Sequence, residues 1–462
     1  MECDSIPDAV ETALGAIMKP RERRETGQMD LLRSRLDQII DLRHPLAVLA
    51  RTMQWGFLEE VFGAIYSDGP GQPPLPTRLM AGIAILKYMH NLSDDQVCER
   101  WVENPYYQYF CGEEFFQHKP VFDRSSMTRW RGRMGEDKLN ALLQESLAVA
   151  AKTKAIKPAE LSQVVVDTTV QPKAIAFPTD AKLLNRSREI LVRLAKKHGL
   201  MLRQSYKRVG KLALIKHQRY AHAKQFKRAG KCLRKLKTYL GRVRRDIARK
   251  IKGHDELIDA FARALSVTAR VLRQKQRQRG RKVYALHALE VECIGKGKAH
   301  APYEFGVKVS VATPLSHPKG GQFVTHVKAL PGNPYDGHTL ATVIPDMEKL
   351  TGATINRAIA DAGYRGHNAP RPFQVYTTGQ KRGVTPAIKR IFKRRAAVEP
   401  VIGHLKNGHR MGRNHLAHST GDAINAVLAA VGYNFRLLLR WLEMLLCLIL
   451  AALLSRQIVY SR

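Results

Sequence analysis

The chain has 462 residues, 44% of them hydrophobic, which is enough for roughly two to four cored domains and excludes wholesale disorder. Its 77 basic residues against 40 acidic ones give a net charge of +37 and a pI near 10.2, so the natural partner is a polyanion, nucleic acid first, with an anionic membrane surface as the competitor. Six cysteines, at positions 3, 98, 111, 232, 293 and 447, form no Cys-x-x-Cys pair, which excludes a disulfide framework and a zinc ribbon and fits a reducing cytoplasm.

The N-terminus is mixed in charge and carries no apolar signal region. Residues 1–75 read as short helical pieces ending in a linker, Gly69-Pro70-Gly71-Gln72-Pro73-Pro74. Residues 76–155 are helical, with Leu79, Ile83, Leu86 and His90 at helical spacing. Ser93 and Gln96 have the form of a capping box, and Asn104-Pro105 ends that helix. Ser125-Ser126 opens a further short helix carrying Arg129, Trp130, Arg131 and Arg133. Several short helices with a basic last one suit a helix-turn-helix-like DNA-binding module; the pattern also fits a plain bundle.

A strand follows, Val164 to Val170, β-branched except for Asp167. Ala174 to Phe177 reads as its short hairpin partner, and Thr179 or Asp180 caps a helix. Residues 182–282 hold 33 basic and five acidic side chains, or +28 of the total. Leu233, Leu236, Leu240, Val243, Ile247 and Ile251 form one apolar stripe, and Leu257, Phe261, Leu265 and Leu272 begin another after Gly253. This predicts a helical hairpin with basic outer faces, on which Arg242, Arg244 and Arg245 meet backbone phosphates. Strands resume at Phe305–Ala312 and Phe323–Leu330, then a helix over 337–350, a strand ending at Asp361, a last strand at Gln374–Tyr376 and a basic helix from Thr385. The apolar run Met444–Leu454 is too short for the roughly 20 residues that span a bilayer. It reads as a buried or partner-facing helix, with no membrane partner.

Asp167 lies within an otherwise apolar or β-branched strand, where a carboxylate is costly unless paired or bound to metal. Asp361 ends another strand before Ala362-Gly363-Tyr364-Arg365-Gly366. If the two strands are parallel neighbours, about 5 Å apart, these carboxylates can share one divalent ion. A second ion needs a third carboxylate, and Glu399 is the candidate. On a helix, Arg395, Glu399 and Lys406 point within about 40° of one another, which sets a ligand between two phosphate-binding cations. Pro400 must kink that helix or restart it. His404, His409, His415 and His418 lack cysteines at ligand spacing, so contact with DNA or backbone is the better reading than zinc.

The combination resembles the DDE transposases of bacterial insertion sequences, with their Tyr-Arg-Glu-Lys signature around a catalytic glutamate. It is most similar to the insertion sequence 5 family with an InsH-type N-terminal helical domain. The stretches that carry the resemblance are Ser93–Gly112, VVVDTTVQPKAIAFPTDAK from Val164, Val291–Pro314, LPGNPYDGHTL from Leu330, DAGYRG from Asp361 and Arg394–Leu416, within residues 40–440. Phe392 departs from it, standing where the signature has Tyr.

The resemblance implies an α/β fold, an RNase H-like core with a mixed five-stranded sheet. A basic helical insertion (183–282) would follow the first strand, and an all-helical DNA-binding domain (76–155) would precede it. The core would comprise residues 160–182 and 283–420, with an apolar helix over 421–462. Asp167, Asp361 and Glu399 would hold two Mg²⁺ ions, or Mn²⁺, for phosphodiester cleavage and strand transfer at terminal inverted repeats. Partners would be double-stranded DNA and a second copy, in the bacterial cytoplasm at the nucleoid. The charge alone equally serves a non-catalytic nucleic-acid binder, and a tyrosine recombinase would have only Tyr460 as its terminal nucleophile.

Overall fold

A computed structural model describes residues 34–66, 74–276, 278, 280–297, 302–370 and 374–460, with side chains up to residue 451 at the C-terminal end. The expected N-terminal segment up to residue 33 and most of the proline-rich linker lie outside the described residues. The chain divides into two compact units: residues 1–171 with 308–462, and residues 172–307.

The first unit opens with α1 (Leu36–Ile39), α2 (Pro45–Thr52), α3 (Trp55–Gly63), α4 (Thr77–Met89), α5 (Asp94–Glu103), α6 (Pro105–Phe110) and α7 (Arg124–Lys152). The capping box forms as the sequence suggests: Ser93 Oγ accepts from Gln96 N and the Gln96 side chain accepts from Ser93 N. Asn104 caps α6 through Tyr106 N and Tyr107 N. The helix expected to be short is instead 29 residues long, capped by Asp123 and kinked at Gly135, whose φ of 65° only glycine adopts freely.

Strand β1 (Gln163–Pro172) leaves this unit at its last residue. The second unit holds α8 (Asp180–Lys197), α9 (Lys207–His222), α10 (Phe226–Lys250), α11 (Asp255–Arg273) and β2 (Glu292–Gly295). Ala174–Phe177 is not a strand; Phe177 is largely exposed. In its place β2 pairs antiparallel with the start of β3 (Tyr303–Pro314), with Cys293 opposite Phe305. The apolar stripe of α10 packs chiefly on α8 and α9 rather than on α11. The expected two-helix hairpin is therefore a four-helix bundle around Leu184, Leu191, Leu236, Leu240, Ile247 and Phe261.

The rest of β3 belongs to the first unit, with β4 (His326–Leu330), α12 (Leu340–Thr351), β5 (Arg357–Ala360), β6 (Gln374–Thr377), α13 (Pro386–Arg394), α14 (Val398–Gly408) and α15 (His418–Tyr460). The sheet is mixed and has six strands, in the order β2-β3-β1-β5-β6 with β4 on β3, one more than the five expected. Strands β1, β5 and β6 run parallel, and β4 runs antiparallel to β3. The fold is α/β. One face of the sheet buries Val164, Val166, Ala358 and Ala360 against Leu340, Val343 and Met347 of α12.

The apolar helix expected over 421–462 is no appendage. Residues 423–435 of α15 are buried, and the helix packs on α7, α4, α2 and β4. Gly432 lets it approach α4, since a Cβ there would stand 2.4 Å from the Tyr88 carbonyl carbon. Polar side chains inside this contact are paired: Tyr88 donates to Asn425 Oδ1 (2.8 Å), Asn425 to Gln171 Oε1 (2.9 Å) and Gln171 to Asp422 O (2.8 Å). The chain ties α4, α15 and the end of β1 together at little desolvation cost. Beyond residue 443, Met444, Leu448, Ile449 and Leu450 are exposed, so that run is not buried within the chain. Among the described residues no helix is long and apolar enough to cross a membrane.

Candidate active site

Three valines make β1 a fully buried central strand, and Asp167 is the first residue past them that is not fully buried. Parallel pairing sets Val165 opposite Ile359. Two residues further on, the same register brings Asp167 beside Asp361, at the carboxyl end of both strands. Asp361 turns the chain out of the sheet: its Oδ1 accepts from Gly363 N at 2.8 Å, capping a short 3-10 turn. A Cβ on Gly363 would lie 3.0 Å from that Oδ1 and 3.3 Å from Asp336 Oδ2, so the turn has room for glycine only by close approach.

Asp336 is an acidic residue that the sequence did not single out. Its Oδ1 accepts from Thr168 Oγ1 (3.0 Å) and from Lys308 Nζ (2.9 Å), which also donates to Pro334 O. The end of β1 is thereby tied to β3 through Thr168 and Lys308. Tyr364 is fully buried below them, and burial together with the charges of Asp167, Asp336 and Asp361 pushes its hydroxyl far above the usual range.

The third expected carboxylate comes from the other side. The helix does break near Pro400, but earlier than that residue: α13 ends at Arg394, a 3-10 turn spans Arg395–Ala397, and α14 starts at Val398, so Pro400 sits in a first turn where its missing N–H costs nothing. Arg395 then stands between two carboxylates. Its Nη2 donates to Glu399 Oε1 at 2.8 Å, and its Nη1 lies 3.8 Å from Asp167 Oδ2. Among the described residues no three His, Cys, Asp or Glu side chains are gathered closely enough to hold one ion. Glu399, with 58% of its side chain exposed, reaches Asp167 only through the guanidinium.

Charge is disfavoured where it is most needed. Burial, reinforced by the negative charges of Asp361 and Glu399, raises the Asp167 carboxyl from 3.8 to about 6; the Thr168 N–H and Arg395 offset this only in part. A buried Asp167 that resists ionisation with two further carboxylates nearby is a site that a cation would relieve. Hard carboxylate oxygens in that setting suit a divalent ion of the Mg²⁺ type.

Comparison with known proteins bears on the class. Over 209 residues, 45% of this chain and the whole of the relative, the sequence is 51% identical to an uncharacterized protein, ORF8 in the nfe locus of Rhizobium meliloti. Residues 34–133 match the family described as Transposase domain (DUF772). The chain belongs to a transposase family. No solved structure matches it.

In this transposase-family chain the matched region runs from α1 into α7, and the basic residues expected to touch DNA there divide. Arg129 and Arg133 are exposed on α7. Arg131 is turned inward and buried, its two Nη atoms 3.0 and 2.9 Å from the carboxylate oxygens of Asp94, which also pairs with Lys87. Its fork is committed to holding α7 on α5, which corrects the expectation that it reaches DNA. In the second unit, Arg242 and Arg245 are exposed on α10 and Arg244 is half-buried. Lys406 is half-buried in the last turn of α14. His409 Nδ1 contacts Tyr88 O at 2.9 Å, the backbone contact anticipated for one of the four histidines.

Proposed function

We propose that this chain is a DDE-type DNA transposase of the insertion sequence 5 kind, built on an RNase H-like core. In this reading it binds the terminal inverted repeats of its own element, cleaves a strand there and joins the freed 3′ end to target DNA. The observation that carries the reading is the shared carboxyl end of β1 and β5, where Asp167 and Asp361 lie side by side and Arg395 bridges Asp167 to Glu399. Asp167, Asp361 and Glu399 would hold two Mg²⁺ ions, with Mn²⁺ as a substitute. Such ions activate the attacking hydroxyl and stabilise the leaving oxygen.

The side chains have distinct parts in this chemistry. Arg395 occupies the cation position between the carboxylates in the free protein; with DNA present its fork is the natural partner of a phosphate. Asp361 is oriented by the Gly363 N–H. Thr168 and Lys308 hold Asp336, which ties the β1 segment next to Asp167 to β3. Two element ends must meet, so a dimer is the minimal assembly on DNA. The test is nicking of a duplex carrying the element's ends, with and without Mg²⁺. Metal-dependent cleavage lost in Asp361→Asn and in Glu399→Gln, with duplex binding retained, supports the reading. Binding without cleavage under any divalent metal would leave a non-catalytic DNA binder.

A further inference from the structure

In the first unit a cavity of about 310 Å³ lies among the end of α4, the C-terminal half of α14 and the middle of α15. Its polar lining is His90 and Asn91, His404 and His409, and Tyr433, Arg436 and Arg440; no carboxylate is among the described residues that line it. Arg436 and Arg440 follow one another by a single turn on α15, which aims both guanidinium groups at the same side. With no carboxylate beside them in the lining, the half-buried Arg436 and the exposed Arg440 leave positive charge on the wall that needs an anion for its balance.

The histidines do not relieve that need. Arg436 Nη1 stands 3.2 Å from His90 Nδ1, and burial with the nearby arginine charges pushes His90 down to about 4, so it meets Arg436 as a neutral acceptor. His409, likewise down to about 4 chiefly by burial, spends Nδ1 on Tyr88 O. Burial holds the Tyr433 hydroxyl up at about 12, which keeps it protonated and able to donate. The floor is fixed by backbone: Asn91 adopts φ +58°, Arg410 donates to its carbonyl, and its amide donates to Asn407 O. His404 and Arg440 are exposed at the mouth. The donors are thus preset around an opening, and what they lack is an acceptor with several oxygens.

We infer that this cavity binds a phosphate group, and that the group is a backbone phosphate of bound DNA other than the one that reacts. His404 lies five residues beyond Glu399 on α14, about 7.5 Å along the axis and on a different face, so the cavity cannot hold the scissile phosphate itself. The inference rests on the transposase reading for its choice of DNA as the source.

The test measures the affinity of the full chain for duplex DNA against salt concentration, for wild type, Arg436→Gln and Arg440→Gln. Each lost phosphate contact lowers the slope of log affinity against log salt by about one. A reduced slope in both variants is the expected result; Arg440→Gln, altered at an exposed position, guards against an Arg436 variant that fails to fold. A second arm titrates inorganic phosphate and follows thermal unfolding. If phosphate stabilises wild type but neither variant, while the DNA slopes stay equal, the cavity takes free phosphate and the DNA assignment is overturned. Equal slopes and equal phosphate responses overturn the site altogether. If wild type itself shows no salt-dependent DNA binding, the transposase reading fails, whatever the variants do.

Discussion

Replacing Asp167 by asparagine separates what this carboxylate does for the fold from what it does for the chemistry. The folded chain holds the Asp167 proton up to about pH 6 against 3.8 for a free side chain, mainly because the group is buried. A carboxyl whose value is raised on folding destabilises the native state when charged: the cost is full above about pH 6 and gone below about pH 3.8. The size of the shift corresponds to about 3 kcal/mol. Asparagine never carries that charge and keeps an oxygen for the Thr168 N–H, which Asp167 Oδ1 accepts at 2.7 Å. Without divalent metal, Asp167→Asn is therefore expected to resist guanidinium better than wild type near pH 7.5, by up to about 3 kcal/mol, with the gap closing toward pH 4. Millimolar Mg²⁺ should reverse the ranking, because the charged carboxylate is a much stronger ligand for a hard cation than a neutral amide oxygen. Nicking should be absent from the variant throughout. A variant less stable than wild type at neutral pH without metal, or equal stabilisation of both by Mg²⁺, would refute the reasoning.

Two further predictions concern residues outside the acidic trio. Arg131→Ala breaks a buried ion pair and leaves Asp94 with Lys87 alone, so it should cost about 3 kcal/mol or more in unfolding experiments, while DNA affinity per folded molecule is unchanged. A folded variant with clearly weaker DNA binding would restore the DNA role. Asp336→Asn should raise the Mg²⁺ concentration needed for half-maximal nicking by about tenfold, the usual effect of losing a group that orients metal ligands. An unchanged metal requirement would mean that Asp336 serves the fold only.

What the sequence made legible was local. Val164, Val165 and Val166 announced a buried strand, and the acid directly after them was conspicuous on its own. Gly363 behind Asp361 pointed to a tight turn at a strand end. The elements that were misread depend on partners far along the chain. Glu292–Gly295 contains a glutamate and a glycine and gains its strand character only from β3, whereas Ala174–Phe177 looked apolar and finds no ladder. The stripe on α10 told that one face is buried but not which helices cover it. Arg131 sits in a basic stretch that reads as surface, and only its approach to Asp94, 37 residues earlier, turns it inward. Asp336 was hidden for the same reason: its importance lies in Thr168 and Lys308, 168 and 28 residues away.

The close seat of α15 on α4 has a consequence for synthesis. The helix that covers α4 is translated long after it, so the apolar side of the N-terminal helices stays bare until residues near Gly432 have emerged. A product cut short before residue 418 lacks that cover entirely. Chains terminated before α15 are thus expected to be cut readily by proteases, because the apolar side of α4 has no cover.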